Sequence, residues 1–273
     1  MDILALKKNA NEIRKGIVTA VYSAKSGHPG GSLSAADILT YLYFEELNID
    51  PKDPKKADRD RFVLSKGHIA PGLYSTLAHR GYFPVEDLKT LRHVGSYLQG
   101  HPDMKHIPGV DMSSGSLGQG GSAAVGMALA GKLDQADYRV YCLFGDGEIQ
   151  EGQVWEAAMF ARHYHLHNLT AIVDHNHMQA MGDCTQVMDL LDLAEKWRAF
   201  GWHVISIENG NDHDQLRAAF SQPSTDMPTC IIANTVKGKG VSYMENTLLW
   251  HYRDPQGDAF ETAMKELGAN DHA

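Results

Sequence analysis

Three residues, Gly145-Asp146-Gly147, follow the apolar run VYCLF at 140 to 144, and a second apolar run, LTAIV at 169 to 173, leads to Asn176. Those residue types suit a diphosphate bound through a divalent metal. A metal that neutralises a diphosphate must leave positions open for phosphate oxygens, so a hard cation such as Mg²⁺ takes one or two carboxylates plus neutral oxygens and water. Asp146 supplies a carboxylate and Asn176 an amide oxygen. Met178 can add its backbone carbonyl, because past the end of a strand a carbonyl lacks a ladder partner; its thioether takes no part. Gly145 and Gly147 let the backbone approach phosphate oxygens with no Cβ in the way. The stretch from 148 to 164 reads as a helix whose N-terminus faces the same anion.

Taken alone, Gly-Asp-Gly is commonly just a turn. Here both halves of the motif follow strand-like runs, and ligands of parallel sheets bind at the carboxyl ends of strands. Two loops at one sheet edge can share one metal.

The elements that must place these loops are legible. Strand-like runs at 140 to 144, 169 to 173, 203 to 207 and 229 to 235 alternate with helical stretches at about 121 to 133, 152 to 165, 189 to 199 and 213 to 221. Such alternation predicts an α/β fold, a doubly wound, mostly parallel sheet flanked by helices. The first half predicts helices at about 2 to 24, 34 to 47 and 70 to 81, with Ser34 as N-cap ahead of Asp37. No low-complexity linker or repeat interrupts the chain, so 1 to 273 reads as one domain with a helical N-terminal layer.

Composition narrows the function classes. The 273 residues are 43% apolar, ample for a core. A net charge of -9 without a basic stripe disfavours nucleic acid. The N-terminal segment reads as a charged amphipathic helix with neither the apolar centre of a signal peptide nor a membrane-length run, so a cytoplasmic protein is expected. Three cysteines, Cys142, Cys184 and Cys230, show no C-x-x-C spacing. Neither a disulfide framework nor a zinc site is expected, and Cys142 and Cys230 read as small core residues. His175 and His177 flank Asn176 but lack a further soft ligand at usable spacing, and read as loop residues.

The chain resembles the N-terminal part of transketolase, a thiamine diphosphate enzyme, in seven ordered stretches: KSGHPGGSLSAADIL at 25 to 39, DRDRFVLSKGHIAPGLYSTL at 58 to 77, GHPD at 100 to 103, GSLGQGGSAAVGMALA at 115 to 130, GDGEIQEGQVWEAAMFA at 145 to 161, VDHNHMQAMG at 173 to 182 and FGWHVISIENGND at 200 to 212. The resemblance implies the diphosphate-binding domain of the thiamine diphosphate-binding fold, with Mg²⁺ as the metal and Ca²⁺ or Mn²⁺ able to substitute. A whole enzyme of the family has three consecutive domains, so the pyrimidine-binding and C-terminal domains are expected on a partner chain. That partner would carry the glutamate that tunes the aminopyrimidine; the assembly expected is a heterotetramer with two copies of each chain.

The resemblance also implies site residues. His28, His68, His101 and His251 fall where the family has active-site histidines that hydrogen-bond sugar hydroxyls and shuttle protons; the match at His251 is looser, since Trp250 and Tyr252 flank it. Imidazole suits the task because its unperturbed pKa of about 6.5 lets it donate or accept near neutral pH. His68, Gly115, Leu117, Gly145, Asp146, Gly147, Glu148 and Asn176 are implied as cofactor contacts, and Asp146, Asn176 and Met178 as metal ligands. Ser116 stands where the family more often has proline, and GSLGQGG lacks both the spacing and the leading strand of a dinucleotide fingerprint. KGKG at 237 to 240 could place Lys237 or Lys239 at the site, although solvated lysines are the commoner outcome. The implied reaction is transfer of a two-carbon ketol unit from a ketose to an aldose, with sugar phosphates or other anionic sugars as substrates. A thiamine diphosphate-dependent 2-oxo acid dehydrogenase component would share the metal motif but has no counterpart of SGHPGG or SKGH. A non-catalytic cofactor-binding remnant stays open beside it.

Overall fold

The computed structural model describes residues 1–269. Its centre is a five-stranded sheet built from β1 (Arg61–Leu64), β2 (Val140–Gly145), β3 (Leu169–His175), β6 (His203–Ile207) and β7 (Thr229–Asn234), in the order β1-β2-β3-β7-β6. Every pairing within it is parallel. A separate two-residue ladder, β4 (Met178–Gln179) with β5 (Gly182–Asp183), is antiparallel.

Strand alternation divides the core in two. Phe62, Leu64, Tyr141, Leu143, Ile172 and Ile231 point to one face and pack under α1 (Ile3–Ala24), α3 (Ala36–Tyr41), α4 (Ala70–Arg80) and α9 (His213–Phe220). Val63, Cys142, Phe144, Val173, Cys230 and Ile232 point to the other, under α5 (Gln119–Leu133), α6 (Gly152–His163) and α8 (Leu193–Ala199). A third cluster joins Ile13 and Ile17 of α1 to Val241, Met244, Trp250 and Leu267, the last on α10 (Asp258–Ala269). It presses the loop that ends in His251 against the N-terminal helix. Cys142 and Cys230 are buried within the second face, as small core residues. No helix among the described residues is long and apolar enough to cross a membrane.

The four expected strands and most helices are present. The strand Arg61–Leu64 is an addition: only four residues long and preceded by three charged ones, it carries too short a pattern to register as a period. Ser34 is not an N-cap. The helix α2 (Pro29–Ser34) starts earlier, where Pro29 supplies a preset φ at the first turn, and Ser34 ends it. The Ser34 hydroxyl instead donates to Asp174 Oδ2 at 2.5 Å. The stretch expected as one helix over 34 to 47 is broken into α2, α3 and a wider turn at Leu42–Glu46. The helix expected from 148 also starts later: Glu148–Gln150 form one tight turn and α6 begins at Gly152. That single turn, not α6 itself, sits at the Gly-Asp-Gly corner. The 189 to 199 stretch is helical only over Leu193–Ala199, where the Asp192 carboxylate accepts from Glu195 N at 2.9 Å as N-cap.

Candidate active site

Parallel strands bring their carboxyl ends to one edge, and four of them deliver the site. β1 runs into Ser65, Lys66 and His68; β2 into Asp146; β3 into Asn176; β7 into Thr235 and Lys237. Of these, Lys66, His68, Asp146, Asn176 and Lys237, together with His28, Gly115, Leu117, Glu148 and His251, line a cavity of about 450 Å³.

The two expected metal-binding loops are tied to each other. Asp146 accepts from Gly147 N at 2.8 Å and from His177 N at 2.5 Å, so its carboxylate bridges the β2 and β3 loops. Asn176 Oδ1 accepts from Met178 N at 3.2 Å, while its Nδ2 reaches Ser34 Oγ and Asp174 Oδ2. Gly147 has no alternative here, because a Cβ at that position would lie 2.8 Å from the Cβ of Gln179. The Met178 carbonyl, expected to lack a partner, accepts from Lys237 Nζ at 3.1 Å, since β4 turns it toward the β7 loop.

Lys237 is buried rather than solvated, as is Lys66. Lys66 pairs with Asp174, which also accepts from Ser34 and Thr235. Lys237 has only the Met178 carbonyl and His251 Nδ1, the latter at 2.9 Å; no carboxylate among the described residues lies within ion-pair distance of it. Burial pulls its pKa down to about 8. Burial, helped by the charge of Asp174, pushes Asp146 up to about 6. The cavity lining therefore includes an ammonium, Lys237, and a carboxylate, Asp146, neither of which has an ion-pair partner among the described residues. A ligand bringing both a dication and a polyanion satisfies both, and the site fits a metal diphosphate on that ground.

Glu148 lines the cavity with both oxygens already engaged. Oε1 accepts from Ser65 Oγ at 2.5 Å and Gly118 N at 3.0 Å, and Oε2 accepts from Gly145 N at 3.1 Å. One buried carboxylate thus fastens three loops.

Three of the four histidines meet. Ring centroids of His28 and His68 are 5.0 Å apart, those of His28 and His251 5.5 Å, and those of His68 and His251 5.7 Å. Desolvation is the main reason all three stay neutral, His28 falling to about 3 and His251 to about 4, with His68 well below its ordinary value. His28 Nδ1 is buried without a protein partner, open to a ligand hydroxyl. His101 stands apart from the trio: it is exposed, its ring lies over Gly115, and Tyr74 Oη donates to its carbonyl at 2.9 Å. His175 and His177 pack on each other at 4.0 Å, and His175 Nδ1 meets Asn234 Oδ1 at 3.0 Å.

These shifts fix a pH dependence. Histidines whose folded pKa is depressed leave the unfolded chain binding more protons below about 6.5, so stability falls on acidification through that value. Asp146, raised to about 6, opposes this because the folded state takes its proton first. Burial holds down five histidines, His28, His68, His101, His175 and His251, and holds up four carboxylates, Glu46, Asp60, Asp146 and Glu148, whose ordinary range lies below this window, so the melting temperature of the chain is expected to drop between pH 7.5 and 5.5. A thermal melt series checks it, and a flat profile would contradict the buried, neutral trio.

Residues 5–273 match the family described as transketolase, thiamine diphosphate binding domain. The chain is 46% identical over 264 residues to the 6-deoxy-6-sulfo-D-fructose transketolase subunit SqwG of Clostridium sp. (strain MSTE9), covering 96% of each. It is 43% identical over 268 residues to one of the subunits of the apulose-4-phosphate transketolase of Phocaeicola vulgatus, covering 98% of this chain and 95% of that one. Among solved structures, transketolase from Campylobacter jejuni superposes with a TM-score of 0.92 at 36% identity, over 98% of this chain but 43% of its own. The chain therefore spans about two fifths of that longer relative.

Proposed function

The chain belongs to the transketolase family, and on that premise we propose that it is the diphosphate-binding half of a two-chain transketolase, active once a partner supplies the pyrimidine-binding domain. The observation that carries this reading is the cavity itself, where four strand ends bring a carboxylate, two buried ammonium groups and the His68 imidazole to meet His28 and His251 from two other loops.

Thiamine diphosphate, when bound, supplies a thiazolium carbon that can hold a two-carbon ketol unit between a ketose donor and an aldose acceptor. Asp146 and Asn176 would hold the metal, taken to be Mg²⁺, with the Met178 carbonyl joining once Lys237 turns from it to the diphosphate. Lys66, Lys237 and the Gly147 backbone would face phosphate oxygens. His28, His68 and His251 bind and orient sugar oxygens, and their neutrality lets each ring both donate and accept. His28 Nδ1 is the atom free to take a sugar hydroxyl. His101, at the rim beside Gly115, would contact the part of the sugar nearest the cofactor.

Both split relatives are named for sugars with an anionic substituent, a phosphate in one and a sulfo group in the other. Substrates of this chain are proposed from the same class, pentose phosphates first, in a cytoplasmic heterotetramer with two copies of each chain. The test is ketol transfer from xylulose 5-phosphate to ribose 5-phosphate, with Mg²⁺ and thiamine diphosphate, by the chain alone and mixed with its candidate partner; apulose 4-phosphate and 6-deoxy-6-sulfo-D-fructose serve as alternative donors. Activity only in the mixture is expected. Transfer by neither preparation with any donor would reject the reading.

A further inference from the structure

Arg92 lies outside the cavity lining, yet it touches a neighbour of three of the four histidines. Its backbone adopts φ 60°, in the left-handed region that residues with a Cβ rarely take, and its N–H donates to Leu98 O at 2.9 Å. That turn directs the guanidinium inward. Nη1 donates to Ser26 Oγ at 2.7 Å, and Ser26 Oγ lies 3.0 Å from the Tyr252 hydroxyl. The planar group rests on Gly100, where a Cβ would come within 3.0 Å of Nε and 3.2 Å of Nη2. Nε is buried there with no partner. Among the described residues no carboxylate lies within ion-pair distance of Arg92, so its guanidinium is held by Ser26 and Gly100 and not by an ion pair.

The chain positions supply the meaning. Ser26 precedes His28 by two residues, Gly100 immediately precedes His101, and Tyr252 immediately follows His251. Tyr252 also packs its ring on His28, with centroids 4.7 Å apart. We propose that Arg92 is a positioning residue, a clasp that joins the three histidine-bearing loops through Ser26, Gly100 and Tyr252 and fixes where His28, His101 and His251 stand relative to one another. The proposal rests on the reading that these histidines handle the sugar. A planar fork suits the task and a lysine does not, because only the fork can bond Ser26 while lying flat on a glycine.

The charge of Arg92 gives the clasp an independent readout. Burial first, then His251, Arg92, His101 and Lys237 hold His28 down; burial and then Arg92 hold His101 down. His68 and the Tyr252 ring are the other groups facing His28.

The experiment combines histidine NMR titration of the full chain with steady-state kinetics of the two-chain assembly, for Arg92→Met, Arg92→Lys and Gly100→Ala. Arg92→Met is expected to raise the His28 and His101 titrations and to lower kcat by roughly ten- to a hundredfold, the scale of a small misplacement of reacting groups, with KM little changed. Arg92→Lys should return the titrations to wild type without restoring kcat. Gly100→Ala, which displaces the guanidinium while keeping its charge, should lower kcat in the same way and stands in if Arg92→Met fails to fold. Full recovery of kcat by lysine would overturn the clasp in favour of charge alone. A rise in KM at unchanged kcat would overturn it in favour of substrate contact. If the wild-type assembly transfers no ketol unit, the functional reading fails, while unchanged titrations in Arg92→Met would separately sink the clasp.

Discussion

Asp146→Ala is expected to weaken Mg²⁺-dependent thiamine diphosphate binding by about a hundredfold or more. Groups one shell removed from a metal already cost about 10- to 100-fold when lost, and Asp146 is the only carboxylate in the proposed ligand set. The substitution also unties two loops, because the Asp146 carboxylate accepts from both Gly147 N and His177 N. The stability of the cofactor-free chain should change far less. Losing two hydrogen-bond acceptors destabilises, but removing a buried carboxylate that has no ion-pair partner stabilises, and the terms oppose. Isothermal titration of cofactor with and without Mg²⁺, alongside a thermal melt, separates them. Unchanged affinity would remove Asp146 from the metal site, and collapse of the melt would mean that the loss is structural.

The second large effect falls on stability. Lys66 and Asp174 form an ion pair that is almost wholly buried, at 2% and 0% side-chain exposure. Removing one partner strands the other charge in a low-dielectric interior, at a cost of about 3–5 kcal/mol. Asp174→Ala also deprives Ser34 and Thr235 of their acceptor. A chain of this size loses roughly 2–4 °C of melting temperature per kcal/mol, so a fall of about 10 °C is expected. The double variant Asp174→Asn with Lys66→Met should recover much of it, because no unpaired charge is left behind. Recovery of stability without recovery of cofactor binding would place the pair itself, Lys66 toward the diphosphate or Asp174 through Asn176, in the cofactor site. A single Asp174→Ala variant as stable as wild type would contradict the buried pair.

Sequence periodicity carried the sheet well where strands were five or more residues long and apolar, as in Val140–Gly145 and Leu169–His175. It failed at Arg61–Leu64, which is strand-like only because Val140 and its neighbours pair with it. The loops proposed to hold the metal and the histidine motifs stood out in the sequence because the proposed chemistry calls for particular residue types beside glycines, and the structure brings those loops, with His28, His68 and His251, to one cavity. Lys66 and Lys237 were visible as letters in SKGH and KGKG, yet nothing local distinguishes a buried lysine from a solvated one. That difference is made by Asp174 in one case and by the Met178 carbonyl and His251 in the other. Ser34 misled for a related reason: its hydroxyl caps no helix N-terminus but reaches back to the Gly31 carbonyl and across to Asp174, 140 positions away. Arg92 was silent altogether, since its role depends on three loops that meet only after folding.

The hold of Glu148 on Ser65, Gly118 and Gly145 bears on how this protein can be re-engineered. Loops from three different parts of the chain share one anchor, so none of them is an independent module. A chimera that imports the 115 to 121 loop of a relative inherits a backbone N–H that must meet this same carboxylate at the same height above the sheet. Changes of substrate scope are better sought in residues that hang from the anchored frame, such as Leu117 and Met181, than in exchanging the frame piece by piece.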